Sequence, residues 1–206
     1  MRVPREEFRS LGLEAHGILN DVPLHDVWAI DLPGGGAGRT ISDVRSLIAG
    51  ENLRAVNPAV RVLFALRARL GQLFGWDSDT HTIHQYQDTS YIHRISGDVK
   101  RRSILAPGSP DGRFHLLYVL ERESLAEFRN ATVHAVLASA LTETLTGYRL
   151  YWGVYLQSVS RLTPLYMALI DPFRRFIVYP AVLGRIQRAW KERYPRTLDP
   201  RAWAAV

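Results

Sequence analysis

Strand-like runs and helical spacings succeed one another along the chain, beginning with a strand. Residues 25–32, "HDVWAIDL", are rich in strand-forming residues and end at a proline, which predicts a first strand. A short helix is indicated earlier, around Arg5 to Ser10. Beyond the strand, Thr40 and Asp43 have the spacing of a capping box, in which side chains bind the free N–H groups of a first helical turn. We therefore predict a helix from there to about Ala49.

A second helix is predicted from Asn57-Pro58 to near Gly75. Proline is favoured in a first helical turn, and large aliphatic residues then recur at spacings of three and four. These residues are Val60, Leu63, Leu66, Leu70 and Leu73. The segment is therefore expected to be an amphipathic helix.

From about residue 82 the hydrophobic period shortens to that of strands. Turn-forming residues separate the runs "TIHQYQ", "SYIHRI", "KRRSILA" and "RFHLLYVLE", and the longer runs "LAEFRNATVHAVLASAL" and "YRLYWGVYLQSV" follow. In the last run, Leu150, Trp152, Val154 and Leu156 alternate with Arg149, Tyr151, Gly153 and Tyr155, so one face is apolar and the other is aromatic and polar. The order strand, two helices, antiparallel strands and one long helix predicts an α+β fold.

The long C-terminal segment, residues 163–190, is "TPLYMALIDPFRRFIVYPAVLGRIQRAW". Asp171, Arg174 and Arg175 stand in its middle, which excludes a membrane-spanning helix because charges are costly at a bilayer centre. Asp171 as N-cap and Pro172 as first helical residue would restart the helix after a kink, with the two arginines forming surface or interface ion pairs. Apolar residues still follow one stripe: Tyr166, Leu169, Ile170, Phe173, Ile177, Leu183, Ile186 and Trp190. That stripe favours packing on a core over lying on an anionic membrane.

Composition narrows the function classes. The 206 residues contain no cysteine, which excludes disulfides, thiolate catalysis and thiolate metal sites. Lysine and arginine outnumber acidic residues by 26 to 20, and almost all of the basic residues are arginine. Such an excess fits a solvated surface, a nucleic-acid partner or an anionic membrane. The charged start, "MRVPREEFRSLGLEAHG", does not resemble a secretory signal, so a cytoplasmic location is expected.

Three stretches together resemble a known family. "HDVWAIDL", "NATVHA" and "YMALIDPFRRFIVYP" are similar to the bacterial family called domain of unknown function 2867, over about residues 20–192. The order of elements also resembles the START-like, Bet v 1-like (SRPBCC) helix-grip superfamily. This resemblance implies a single domain over residues 1–206 with short terminal extensions, in which a curved antiparallel sheet grips a long kinked C-terminal helix. It further implies a cavity for apolar or amphipathic small molecules, and it implies no activity.

Six residues are candidates for lining such a cavity: Trp28, His134, Trp152, Tyr166, Leu169 and Phe173. His134 shares its strand face with small residues, including Ala138 and Ala140, that could leave room for a ligand. A lone histidine in this setting is usually a hydrogen-bonded structural residue. It is also the one candidate here for a catalytic acid or base.

Two other motifs are weak. "LPGGGAGRT" leads from a strand into a helix but lacks the spacing of a nucleotide-binding loop, so we interpret it as a connector. "DSDTHTIHQYQDTSYIH" gathers Asp77, Asp79, His81, His84, Asp88 and His93. Histidines three apart lie on opposite sides of a strand, so we predict no metal site there, and no cofactor.

The sequence therefore predicts a binding protein for an apolar or amphipathic small molecule. One alternative is an enzyme of the same fold, a lyase, cyclase or hydrolase, with His134 as acid or base. Another is a peripheral binder of anionic membranes or nucleic acid through the arginine surface, although no DNA partner is expected. A homodimer is left open.

Overall fold

A computed structural model describes residues 1–47, 89–129, 133–159 and 163–195, without the side chains of residues 163–166 and 169. The first elements are α1 (Arg5–Arg9), α2 (Glu14–Ile18), β1 (Leu24–Pro33) and α3 (Ile41–Ser46). A 3-10 helix (Tyr91–Arg94) and α4 (Gly97–Arg102) follow. The strands β2 (Pro110–Asp111), β3 (Phe114–Val119), β4 (Glu123–Arg129), β5 (Val133–Thr144) and β6 (Gly147–Ser158) come next. The C-terminal part consists of α5 (Thr163–Phe173), a π-helical segment (Arg174–Val178) and α6 (Tyr179–Arg193).

The six strands form one curved antiparallel sheet in the order β1-β6-β5-β4-β3-β2. The strands from β3 to β6 pair consecutively, and β1 joins the outer side of β6. Residues 1–3 lie along the free edge of β1, where Val3 N–H donates to the Val27 carbonyl at 3.0 Å and Ala29 N–H donates to the Met1 carbonyl at 2.8 Å. These bonds occupy edge groups that could otherwise pair with another chain.

Helices lie on both faces of the sheet. Alternate residues of β6 pack against the helices on opposite faces. Tyr151 and Tyr155 pack with α1, α2 and the segment from the 3-10 helix to α4. Leu150 and Trp152 pack on the opposite face, with α3 and α6. The predicted alternation along β6 is therefore confirmed, and so is the α+β class.

Local sequence signals placed several elements correctly. The strand predicted over 25–32 is β1, and the helix predicted around Arg5 is α1. Thr40 N–H donates to Asp43 Oδ2 at 2.8 Å in the predicted capping box at the start of α3. The helix predicted to run to about Ala49 ends earlier, at Ser46, with Leu47 as its C-cap. The helix predicted over residues 57–75 and the strand "TIHQYQ" lie outside the described residues.

Two predicted strands are wrong. "SYIHRI" contains the 3-10 helix, and "KRRSILA" contains the end of α4. A serine begins each helix, because Ser90 Oγ accepts from Ile92 N–H at 3.1 Å and Ser96 Oγ accepts from Val99 N–H at 3.2 Å. These local hydrogen bonds satisfy free N–H groups of a first helical turn and outweigh the β propensity of the runs.

The C-terminal segment departs from regular α-helix at a different place from the predicted kink. Pro172 lies inside α5, so Asp171 does not cap a new helix there. The irregular turn is the π-helical segment, and α6 begins beyond it with Pro180 in its first turn, where a missing N–H is tolerated. Helix α6 buries the predicted residues Ile186 and Trp190 completely. Among the described residues, no helix combines the length and the apolar character needed to cross a membrane.

Candidate functional site

A carboxylate is buried under the C-terminal helix on an otherwise apolar face of β1. Asp26 has an exposed fraction of 0%, and it precedes Trp28 and Ile30 at the strand spacing of two. The register of β1 against β6 shifts between Leu24 and Asp26, so His25 occupies a bulge. Bulges bend a strand and redirect its side chains. Here the side chains of both His25 and Asp26 approach the C-terminal helix.

Asp26 lies opposite two arginines of the π-helical segment. Its Oδ1 is 3.8 Å from Arg174 Nη2, and its Oδ2 is 3.8 Å from Arg175 Nε. These distances allow ion pairing but exceed the length of a hydrogen bond. Within the described part of the chain, neither Asp26 oxygen has a hydrogen-bond partner. The same holds for two buried donors nearby, Trp28 Nε1 and Arg175 Nε.

A second carboxylate, on α5, neutralises the arginines and ties the helix to β1. Asp171 accepts from Arg174 Nη1 at 2.7 Å and from Arg175 Nη2 at 3.3 Å. It also lies 2.7 Å from His25 Nε2 across the interface. We call Asp26, Trp28, Asp171, Arg174 and Arg175 the Asp26 cluster. Because its members come from β1 and from residues 171–175, the cluster forms only when helix and sheet are docked.

Tyr179 closes one side of the Asp26 cluster. Its hydroxyl accepts from Arg174 Nε at 3.0 Å, and its ring packs edge-on against Trp28 with 5.2 Å between centroids. Burial raises the pKa of Tyr179 to about 12, so the hydroxyl stays neutral at physiological pH. Burial works to lower the pKa of Arg174, but Tyr179 and the carboxylates Asp26 and Asp171 raise it above the usual value, so the guanidinium stays charged.

Apolar surface flanks the Asp26 cluster along the helix. On one side, residues of α6 pack on Leu150 and Trp152 of the sheet. On the other side, Leu156 of β6 packs with the half-buried Met167 and Ile170 of α5. The polar cluster thus interrupts an apolar interface that continues in both directions. Such an arrangement can hold a molecule that has one polar group and an apolar body.

The opposite face of the sheet contains a separate buried polar group centred on Glu127. Its Oε2 lies 2.8 Å from His134 Nε2 and accepts from Tyr91 N–H at 3.0 Å, while Oε1 accepts from the Ser90 hydroxyl. The His134 ring stacks on Tyr91 with 4.4 Å between centroids. Both Glu127 and His134 are buried. These contacts fasten the 3-10 helix to β4 and β5.

The structure brings some of the predicted lining residues together and separates others. Trp28 and Trp152 are direct cross-strand partners on the face beneath the C-terminal helix. Phe173 is half-buried on α5. His134 shares its face with Val136 and therefore lies on the opposite side of the sheet from both tryptophans. The predicted residues Tyr166 and Leu169 belong to α5, but their side chains lie outside the described part.

The six residues consequently do not line one common surface, because His134 is separated from Trp28 and Trp152 by the sheet itself. Sequence reasoning also missed Asp26, although a signal was present. An acidic residue in phase with Trp28 and Ile30 breaks an apolar strand face, and such a residue requires a partner when it is buried.

The histidine-rich window over residues 77–93 lies mostly outside the described residues, which contain only His93 of the six residues named for it. Across the described ranges, no three His, Asp or Glu side chains are grouped closely enough to hold a metal ion.

A comparison with protein families gives one match. The model of a family described as "Protein of unknown function (DUF2867)" matches residues 18–181. No curated protein and no solved structure matches the chain. The matched stretch includes every residue of the Asp26 cluster.

Proposed function

We propose that this chain, which belongs to the DUF2867 family of proteins of unknown function, binds an apolar or amphipathic small molecule between the sheet and the C-terminal helix. The carrying observation is the Asp26 cluster, a buried polar group in an apolar interface, four of whose atoms have no hydrogen-bond partner among the described residues. The proposal includes the helix-grip resemblance, in which this interface is the usual place for a ligand.

The unpaired atoms support binding because burying polar groups without partners is costly. A buried donor or acceptor without a hydrogen bond costs about 1–3 kcal/mol, and more when it is charged. The side chains of Asp26, Trp28 and Arg175 together contain four such atoms. A bound polar group would satisfy several of them at once and offset this cost.

The form of the helix supports the same location. π-helical turns are rare and occur often at functional sites. Here the π-helical segment contains Arg174 and Arg175, directly above Asp26. The regular helices α5 and α6 on either side supply the apolar contacts that would hold the rest of the molecule.

The proposal is tested with N-phenyl-1-naphthylamine, an uncharged fluorescent apolar probe. Ala135 of β5 lies opposite Leu156 on the face beneath α5. Ala135→Phe places a ring against that surface, and we expect it to weaken saturable probe binding by about tenfold, the effect of losing about 1.4 kcal/mol of contact. Fluorescence titration measures the affinity, and mass spectrometry of the extracted wild-type protein identifies any compound that co-purifies.

Thr144→Phe is the matched control, because Thr144 is exposed near the far end of the same strand. It should leave probe affinity unchanged. Binding that is unsaturable in the wild-type protein, or equal in all three proteins when thermal unfolding shows that they are folded, would contradict the proposal.

A further inference from the structure

We infer, on the basis of the proposed function, that the polar group bound at the Asp26 cluster is uncharged and both donates and accepts hydrogen bonds. An alcohol or a primary amide at the end of an apolar chain has this chemistry. The inference rests on the charges of the cluster and on which of its atoms are unpaired.

The charges of the cluster already balance. Two guanidinium groups, Arg174 and Arg175, face two carboxylates, Asp26 and Asp171, all within 4 Å of an opposite charge. Three of these side chains are at most 15% exposed, and Arg175 is 32% exposed. An added net charge in such a site would lose its hydration without gaining an unpaired opposite charge.

The unpaired atoms are of two kinds. The two Asp26 oxygens only accept hydrogen bonds, whereas Trp28 Nε1 and Arg175 Nε only donate. One hydroxyl or amide group can donate to Asp26 and accept from one of the donors. This group would therefore pair acceptors and donors of the cluster together.

A charged ligand group can pair with only the acceptors or only the donors among the unpaired atoms of the cluster. A carboxylate accepts from Arg175 and Trp28 but cannot donate to Asp26, and it places a second negative charge beside that side chain. An ammonium group donates to Asp26, leaves both donors unpaired and adds a third positive charge beside Arg174. Each therefore leaves buried polar atoms without partners.

The test compares four probes with the same ten-carbon chain: 1-decanol, decanamide, decanoate and decylamine. Each displaces N-phenyl-1-naphthylamine from the wild-type protein at pH 7. Decanol and decanamide should bind at least about tenfold more tightly than decanoate and decylamine, the ratio expected for one net hydrogen bond lost in a buried site. A preference for either charged probe would overturn the inference.

If the inference is correct, Asp26→Asn should change the relative affinities of the charged and uncharged probes. The variant removes one negative charge and leaves the two arginines in excess, so decanoate should gain at least about tenfold relative to decanol. Asp31→Asn is the matched control, because Asp31 lies on the same strand with a 73% exposed side chain. It should keep the wild-type order, and an unchanged order in Asp26→Asn would contradict the inference.

A second variant keeps the test informative if Asp26→Asn does not fold. Trp28→Phe keeps an aromatic ring beside Tyr179 but removes the Nε1 donor together with one ring of the indole. The lost ring affects both probes, so decanol binding should weaken by about tenfold more than binding of decylamine, which cannot accept from that donor. Equal losses for both probes would contradict a role for the donor.

The outcomes separate this inference from the proposed function. If all four probes bind the wild-type protein equally well, the chain binds apolar molecules, and a water molecule rather than a ligand group fills the cluster. That result overturns this inference alone. If none of the four displaces a fluorescent probe that binds saturably, this inference is overturned, whereas the proposed function is overturned only if the fluorescent probe itself shows no saturable binding.

Discussion

His134 illustrates at the residue scale how a candidate catalytic group can be bound into a network instead. Its Nε2 is 2.8 Å from Glu127, its ring stacks on Tyr91, and it is buried. A histidine held on both sides in this way has the geometry of an anchor for the segment that begins at Ser90. Its role as an acid or base stays a prediction without a supporting contact.

His134→Gln should therefore destabilise the fold. The change removes the stacking on Tyr91 and weakens the contact to a buried carboxylate, Glu127, which should cost about 1–3 kcal/mol of unfolding free energy. Urea unfolding measures the loss, with the exposed Thr144→Ala on the same strand as control. A loss no larger than that of the control would show that the network contributes little.

The buried carboxyl of Glu123 should make the stability of the fold depend on pH, in a direction that can be stated. Burial raises the pKa of this carboxyl, although Glu14 N–H at 2.9 Å and the Tyr118 hydroxyl at 3.1 Å donate to it and act in the opposite direction. The folded protein therefore binds the proton more tightly than the unfolded chain. The resulting stabilisation is complete below the ordinary pKa of about 4.3 and is lost as pH rises through the raised value.

Glu123→Gln removes that titration. We expect the unfolding free energy of the wild-type protein, relative to the variant, to fall as pH increases from below about 4.3 towards neutrality. Urea unfolding of both proteins at several pH values gives the difference directly. A difference that is constant, or that grows with pH, would show that the folded-state pKa of Glu123 is not raised.

At the scale of elements, the short helix α1 makes one especially close contact with the sheet. Five residues are too few for a stable isolated helix, so packing must hold it. Phe8 is fully buried against Gly153 of β6. A Cβ added at Gly153 would lie within 2.7 Å of Phe8 Cζ, so the missing side chain makes room for the ring.

Gly153→Ala should therefore destabilise the fold by about 1–3 kcal/mol, the usual cost of overpacking a core. Phe8→Leu in the same chain should recover part of the loss, and a double-mutant cycle measures this coupling. Gly12→Ala is the control, because a Cβ there meets no atom within 4 Å. Additive effects of the Gly153 and Phe8 changes would contradict the contact.

Helix α6 should be far more sensitive on its buried side than on its basic side. Ile186 is fully buried, so Ile186→Ala should cost about 2–5 kcal/mol, whereas Arg188→Ala at an exposed position should change stability by about 0.5 kcal/mol or less. Phe173 is only half-buried, so Phe173→Ala should cost less than Ile186→Ala. Urea unfolding of the three variants measures their losses of unfolding free energy. Equal, small losses in all three would contradict the expected order.

The sequence predicts those elements whose signals are local. The capping box could be predicted because Thr40 and Asp43 are near neighbours along the chain. The alternation along β6 could be predicted because every second residue of a strand lies on the same face. The Asp26 cluster could not be predicted in the same way. The spacing of Asp171, Arg174 and Arg175 shows that they can pair with one another, but their approach to Asp26 depends on docking of distant elements.

At the scale of the whole molecule, several arginines of the described residues form ion pairs with acidic residues of the same chain. Exposed ion pairs join Arg94 with Asp21, Arg102 with Glu14, and Arg122 with Glu143. Each links parts of the chain that are distant in sequence or lie on neighbouring strands. Exposed pairs of this kind contribute little stability each, at most about 1 kcal/mol. Each pair uses one arginine and one carboxylate, so these pairs leave the excess of basic over acidic residues unchanged.

The position of β1 determines when the protein can complete its fold. The residues of the strand are synthesised early, but the Trp190 side chain that donates to its Pro33 carbonyl follows 157 positions later. At a synthesis rate of about 5–20 residues per second, β1 waits roughly 8 to 30 seconds for this part of its partner surface. Until β6 has been synthesised, Trp28 and Ile30 have neither that strand nor α6 to cover them. The strand that contributes Asp26 and Trp28 to the Asp26 cluster thus exposes apolar side chains in the nascent chain, the kind of surface that chaperones bind.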